Sequence, residues 1–472
     1  MIYKKSDYEI FNGMKLVTNI KISIHYLNII KNLQYETLQR GRISMNYKMK
    51  YGREKVEVNV PDEDLLGIIE SNAMDDNRTE EEVILDALEN PIDSAKLSEI
   101  VKPGERVCLV ISDITRAWQK MGTYLYYIVE ELNKGGVKDE DIIFISATGS
   151  HRKQSEEEHK VLLGEKLADR FKVIDHVCTD EDNLVYLGET SYGTPVKINK
   201  MAMECDHIVI TGAIVFHLLA GWGGGKKSIL PGIAGYETIM KNHSMSLSPE
   251  MGSGSNPETK SGKVVNNPIH EDMLEAVSFV NPSFLFNVIM GSDGNIAQAV
   301  AGNYIKAHEK GCEIVNKIDG ISISEKADMV IATAGGYPKD INFYQTIKTV
   351  INAREAINDG GVMILLSECS DGFGNEVIRK ITQDFDNVVD REKELRRNYS
   401  IAKYIGYYVS EVASRTNMIL LSAMNPEDLS MANISVVKTI DEALELAKKL
   451  KGENLKTYLM PHGANTLPKL MS

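Results

Sequence analysis

Four short clusters in this sequence gather residue types that do chemistry. The first is Ser112-Asp113-Ile114-Thr115-Arg116. It follows an apolar run and opens a helical pattern, and free N–H groups at a helix start suit a phosphate or carboxylate. Arg116 adds a planar fork of donors for the same anion. Read alone, the cluster is an ordinary Asp/Thr N-cap with a solvated Arg. The second, Ala147-Thr148-Gly149-Ser150-His151-Arg152, puts a histidine in a Gly-Ser turn after another apolar run. Imidazole titrates near neutral pH, so His151 is a candidate general base. A hydrogen-bonded structural histidine is the competing reading.

The third cluster runs from Phe216 through His217, Ala220-Gly221-Trp222, three glycines and Lys226-Lys227 to Ser228, with His243 further on. A phosphate-binding P-loop needs Gly, four residues, then Gly-Lys-Ser/Thr. Here Gly225-Lys226 is followed by Lys227, so the match fails by one residue. What remains is a flexible backbone that lets a bulky ligand approach. It presents a lysine that becomes a covalent attachment point once its pKa falls. The fourth cluster is Phe343-Tyr344-Gln345-Thr346-Ile347-Lys348. On a helix Tyr344 and Lys348 share one face and together suit a carboxylate, although a solvated helix face is the better reading of the triplet in isolation. Of the other histidines, His159 and His308 read as surface-helix residues and His270 as a helix cap. No HExxH or close His pair is present, so a zinc hydrolase has little support.

The elements that position these clusters form a repeating unit from about Arg106. Short apolar runs, Val107–Ile111, Ile142–Ile145, Ile208–Ile210, Met329–Ala332, Val362–Leu366 and Met418–Leu421, read as strands buried on both faces. Amphipathic helices separate them; Leu125, Ile128, Val129 and Leu132 make one apolar stripe, closed by Gly135-Gly136. Alternating strands and helices predict an α/β fold: two α/β domains with mainly parallel sheets covered by helices. Ligands in such sheets bind beyond the carboxyl ends of the strands. Residues 1–44 stand apart as an N-terminal appendage or the product of an upstream start codon. An N-terminal α/β domain spans 45–315, with an edge strand at Lys55–Val60, and a C-terminal α/β domain spans 316–450. The segment 451–472 is expected to return to the first domain. Ser244–Gly262, rich in Ser, Gly, Pro and Met, reads as a mobile loop or lid.

The chain has 472 residues, 25% charged and 43% hydrophobic, with a formal net charge of −14. This excludes disordered and collagen-like chains. The acidic balance argues against a general nucleic-acid binder, though not against a basic pocket for a small anion. No apolar run is long enough to span a bilayer, and Met1–Leu33 is too polar for a secretory signal, so a cytoplasmic location is expected. Five scattered cysteines, none in a CxxC pair, argue against a disulfide framework or zinc ribbon.

Taken in order, Asp113-x-Thr115-Arg116, Gly149-Ser150-His151-Arg152, His217-x-x-Ala220-Gly221, Gly225-Lys226-Lys227, Leu230-Pro231-Gly232, His243, Asn267-Pro268 and Tyr344-Gln345-x-x-Lys348 resemble the nickel-dependent lactate racemase family. The resemblance runs from about Met45 to the C-terminus. It implies a nickel-pincer nucleotide, a pyridinium mononucleotide whose two sulfur arms grip the metal. One arm is joined to a lysine, which by motif match is Lys227 rather than Lys226. It implies His243 as the nickel ligand, and imidazole suits that metal. It implies His151 and His217 as the two bases that serve opposite hands of a 2-hydroxy acid, with hydride transfer through a 2-keto acid. It places Asp113, Thr115 and Arg116 beside the cofactor, and Arg116, Tyr344, Gln345 and Lys348 around the substrate carboxylate, in a cleft between the domains. Separate biosynthetic proteins would deliver the cofactor by transient contact. Where many relatives carry Pro after the Thr-Arg pair, this chain has Ala117-Trp118, so the particular 2-hydroxy acid stays open. Two other readings compete. One is a phosphate- or nucleotide-binding transferase using the Gly-rich loop; the other is a non-catalytic carrier of the nickel cofactor, which would need Lys227 and His243 but not the two bases.

Overall fold

The computed structural model describes residues 44–74 and 77–471; the expected appendage lies outside them except for Ser44. The chain divides into a small unit, described at Ser44–Lys48 and Glu57–Leu65, and a large one, Met49–Val56 with Leu66 onward. The small unit contains part of the expected edge strand, which runs Glu54–Pro61. Val58 and Val60 are buried with exposed neighbours between and before them, the period-two pattern of a half-covered strand. Lys48 pairs with Glu57 at 3.3 Å.

The large unit carries all the chemically interesting residues. Its first six-stranded sheet has the spatial order Ile296–Gly302, Phe284–Met290, His207–Ala213, Val107–Ser112, Ile142–Ala147, Val173–Asp175. All pairings are parallel except that of Ile296–Gly302 with Phe284–Met290. The chain enters at Val107–Ser112, runs outward to one edge, then crosses back to His207–Ala213 on the other side. The strand order therefore reverses between those two neighbours, and the carboxyl ends at such a switch point leave a crevice. The second six-stranded sheet has the order Ile434–Val437, Asn417–Leu421, Ile357–Leu366, Ala327–Thr333, Thr457–Met460, Leu65–Ile68. Its reversal lies between Ala327–Thr333 and Thr457–Met460.

Why these segments fold this way is legible in their burial. Val107 through Ile111 are fully buried, as strands covered on both faces must be. The stripe Leu125, Ile128, Val129 and Leu132 lies inside helix Met121–Lys134 and is wholly buried, with Gly135 as its cap. The fold is thus mixed α/β with parallel-dominated sheets flanked by helices. Each of the six strands expected from apolar runs is present, extended by one to five residues.

Three expectations need correction. The terminal segment does not return to the first sheet. Thr457–Met460 inserts beside Ala327–Thr333, and Leu467–Leu470 pairs with Gly320–Ile323, because the all-apolar Tyr458–Met460 fills a buried slot in the second sheet. The loop Ser244–Gly262 is fastened rather than loose. The Arg396 guanidinium donates to the carbonyls of Ser248 (2.7 Å) and Glu250 (2.9 Å), Gly252 N donates to Glu392 (3.0 Å), and Ser255 N to Glu411 (3.2 Å). Finally, Asp113 does not open an α-helix. It caps a short 3₁₀ turn, Ile114–Gln119, that departs from helical geometry at Arg116, so no long dipole points at an anion there.

Candidate active site

The crevice of the first sheet is lined by the loops leaving Val107–Ser112 and His207–Ala213. At the end of the former, Asp113 Oδ1 accepts from Thr115 N (2.8 Å) and from the Thr115 hydroxyl. Its Oδ2 meets His151 Nδ1 at 2.7 Å. A carboxylate can only accept, so Nδ1 carries the proton and Nε2 keeps its lone pair. The Asp113 side chain is 6% exposed and that of His151 45%. A buried carboxylate thus orients a water-accessible ring, the arrangement a general base needs. Burial would raise the Asp113 carboxyl. The bonds from His151 and Thr115 and the charge of Arg116 outweigh it and hold the carboxyl below its ordinary range.

The loop after His207–Ala213 holds the second histidine. His217 lies on a two-residue strand whose residues face opposite ways. Phe216 stacks on Trp222 with ring centroids 4.4 Å apart, so these aromatics face away from His217. His217 Nδ1 accepts from Leu219 N and Ala220 N, both at 3.2 Å, which leaves the proton on Nε2. Burial, then the charges of Lys227, His243 and Arg116, push its pKa well below the usual value. The two rings therefore offer a ligand opposite hydrogen-bonding roles: an acceptor at His151 and a donor at His217.

The adjoining glycines are needed for packing. Gly225 has φ +50°, and a Cβ there would lie 2.6 Å from His308 Cδ2. A Cβ on Gly224 would lie 2.5 Å from the Asn287 carbonyl oxygen, which also accepts from Gly225 N at 2.8 Å. The turn Gly225–Ser228 then sends its two lysines to different surroundings. Lys226 is buried, without a partner at Nζ, and its charge is felt at Cys312, His270 and His308. Lys227 is half-buried and its charge is felt at His217 and His243. Burial, then Lys226 and Arg116, lower its amine to about 7. Much of it is an uncharged nucleophile at neutral pH.

His243 is buried on helix Tyr236–Ser244. Its Nδ1–H donates to Ile239 O at 3.0 Å, leaving Nε2 as a free donor atom for a metal. Burial and the Lys227 charge lower its pKa to about 3, so the ring stays neutral. Among the described residues no group of three or more His, Cys, Asp or Glu could hold a metal ion. One neutral imidazole beside one neutral amine suits a metal whose other donors arrive on a cofactor bound to the lysine.

Lys348 comes from helix Phe343–Ala353, which follows the end of Ala327–Thr333 at the reversal of the second sheet. Its Nζ donates to Gln345 Oε1 at 2.8 Å. Lys348 is exposed on this helix; the protein around its ammonium, then the charges of Arg116 and Lys339, lower it to about 8. Arg116 is exposed, and its guanidinium donates to the Thr115 hydroxyl at 3.0 Å. Of the residues expected around a carboxylate, Lys348 and Gln345 are thus hydrogen-bonded, and the Arg116 charge is felt at Lys348. Tyr344 sits one turn along, its N–H donating to Phe373 O at 3.2 Å. Asp113, expected beside the cofactor, bonds both Thr115 and His151.

Several participants carried no sequence signal. His308, expected on a surface, is buried and donates to Gly223 O at 2.8 Å beneath the glycine loop. Asn267, not His270, caps its helix, accepting from Ile269 N and His270 N.

Comparison with known proteins identifies the family. A lactate racemase N-terminal domain model matches residues 51–254 and a lactate racemase C-terminal domain model matches 322–467. The lactate racemase of Thermoanaerobacterium thermosaccharolyticum is 32% identical over 429 residues, 89% of this chain and 99% of the relative. That of Lactiplantibacillus plantarum is 29% identical with the same coverage. The structure of the Thermoanaerobacterium lactate racemase apoprotein superposes with a TM-score of 0.83 at 31% identity, covering 90% of this chain and all of that one. A Thermotoga maritima protein shares the fold at 18% identity and a TM-score of 0.59. The chain belongs to the lactate racemase family, and its activity is that of an isomerase, a racemase.

Proposed function

We propose that this enzyme racemises or epimerises a 2-hydroxy carboxylic acid, lactate or a close relative, through a 2-keto acid, in a cleft between an N-terminal and a C-terminal α/β domain. The two lactate racemases to which it is similar along nearly their whole length support the substrate class. One observation carries the reading most: an amine lowered to about 7 at Lys227 whose charge reaches both His217 and His243. That is the donor set a lysine-tethered nickel-pincer nucleotide requires. When bound, this cofactor supplies a reversible acceptor for the substrate's α-hydride.

The protein's own residues then do the rest. Arg116 and Lys348 hold the substrate carboxylate, with Gln345 fixing the Lys348 ammonium and Tyr344 on the same helix. His151 Nε2 takes the hydroxyl proton, and Asp113 stabilises the imidazolium that forms. His217 Nε2–H donates to the substrate oxygen. It serves as base for the opposite hand once its ring turns, giving up two long Nδ1 contacts. Closure of the cleft on the substrate would exclude water from the keto acid. Five free cysteines fit a reducing compartment such as the cytoplasm, and cofactor-making proteins would dock only transiently. The glycine loop packs against Asn287 and His308, which gives a nucleotide-transferase reading no cradle to use.

The test is intact mass and nickel content of protein co-expressed with cofactor-making enzymes. A mass increase on Lys227, about one nickel per chain and interconversion of D- and L-acids are expected. An unmodified Lys227 without nickel, beside a loaded control, would overturn it.

A further inference from the structure

Behind the Asp113–His151 pair lies a polar group that the proposed reaction does not use. The Gln154 carboxamide crosses the carboxyl ends of three neighbouring strands. Its Oε1 accepts from Ile114 N at 2.5 Å, one residue beyond Asp113. Its Nε2 donates to Ser146 Oγ on Ile142–Ala147 and to Asp175 Oδ1 at the end of Val173–Asp175, both at 2.7 Å. The Gln154 N–H donates to Asp175 Oδ2 at 2.7 Å. His159 Nε2 donates to Asp175 Oδ1 at 2.9 Å. The Asp175 side chain is only 8% exposed, yet both its oxygens are satisfied. The amide fits one way round: reversed, its NH₂ would face an N–H and its oxygen a carboxylate.

Gln154 is three residues beyond His151 in the same loop. One amide therefore ties the loop carrying the base to the loop carrying its carboxylate. We infer that Gln154, oriented by Asp175 and His159, is a positioning residue that sets the His151–Asp113 hydrogen bond. Its catalytic consequence rests on the reading of His151 as a base. The hydrogen bond itself does not.

The test compares Gln154→Met, which keeps the volume and loses every side-chain bond, with Gln154→Glu, which sets a second carboxylate against Asp175. A third protein combines Gln154→Glu with Asp175→Asn. There the amide and carboxylate exchange places, and the acceptor for Ile114 N–H survives. The first readout is the downfield Nδ1–H proton signal of His151 in the full chain labelled with ¹⁵N-histidine, which needs no cofactor. The second is kcat and KM of the cofactor-loaded enzyme. Both single variants should lose or broaden that signal. They should lower kcat on the order of 10- to 100-fold with little change in KM. The double variant should recover the signal and most of kcat. Single variants that keep the signal, or a folded double variant that recovers nothing, would overturn the inference. Absence of racemase activity in the parent would refute the proposed function instead, and the proton signal would still decide this one.

Discussion

Replacing Lys227 by Met should change how stability depends on pH, and the structure fixes the sign. The Lys227 amine falls from 10.5 to about 7 on folding and that of Lys226 from 10.5 to about 8. Below these folded values both states carry the charge, and the folded state bears the full cost of burying it. As pH rises through about 7 the folded protein releases its proton first. The unfolded chain then binds more protons, and stability climbs with pH until about 10.5. Between pH 7 and 8 the Lys227 shift contributes about 1 kcal/mol and Lys226 roughly a third of that. Lys227 is partly reached by water, so these are upper figures. The buried histidines and thiols titrate alike in the unfolded chains of both proteins, so comparing parent with variant removes their share. Urea unfolding of the protein without cofactor at pH 7.0 and 8.0 reads the difference. Over that unit the parent should gain about 1 kcal/mol more than Lys227→Met does. Equal gains in both proteins would refute the claim that Lys227 is buried as a poised neutral amine.

Asp113→Asn should leave the fold intact but lower kcat on the order of a thousand-fold or more, because the amide no longer holds His151 in its base-competent tautomer; steady-state kinetics on the loaded enzyme check this. Lys348→Met should cost about 1.5–3 kcal/mol of carboxylate recognition, read as a fall in kcat/KM at unchanged Tm. Gly225→Ala should destabilise by about 1–3 kcal/mol, since φ +50° disfavours a side chain and the new Cβ meets His308; urea midpoints measure it.

The strand ends were legible because parallel strands covered on both faces are apolar throughout, and a polar cluster after such a run marks its carboxyl end. Phe284–Met290 escaped because Asn287 interrupts its apolar run, and that residue is there to bind Gly225 N. Val173–Asp175 is too short to show a period. The terminal strand was misplaced for a different reason. Nothing local says which sheet a four-residue apolar run will join; the choice is made by a vacancy beside Ala327–Thr333, far away in sequence. The candidate residues themselves were readable, but their roles were not. Whether Asp113 faces an anion or a histidine depends on a partner 38 residues away. Gln154 looks like any loop glutamine until three strand ends converge on it.

The fastening of residues 244–262 gives His243 an unexpected mechanical dependence. His243 is the penultimate residue of its helix, and the chain leaves it directly into that segment. Arg396, Glu392 and Glu411 bolt the segment to the helices Val388–Arg397 and Ile401–Arg415, which cover the other sheet. Close-packed interiors transmit displacement rather than absorb it. The imidazole proposed to meet the metal therefore stands one residue before a segment held by a polar clasp from two other helices. Screens for altered metal retention should thus find variants at Arg396 and Glu392 as well as in the crevice.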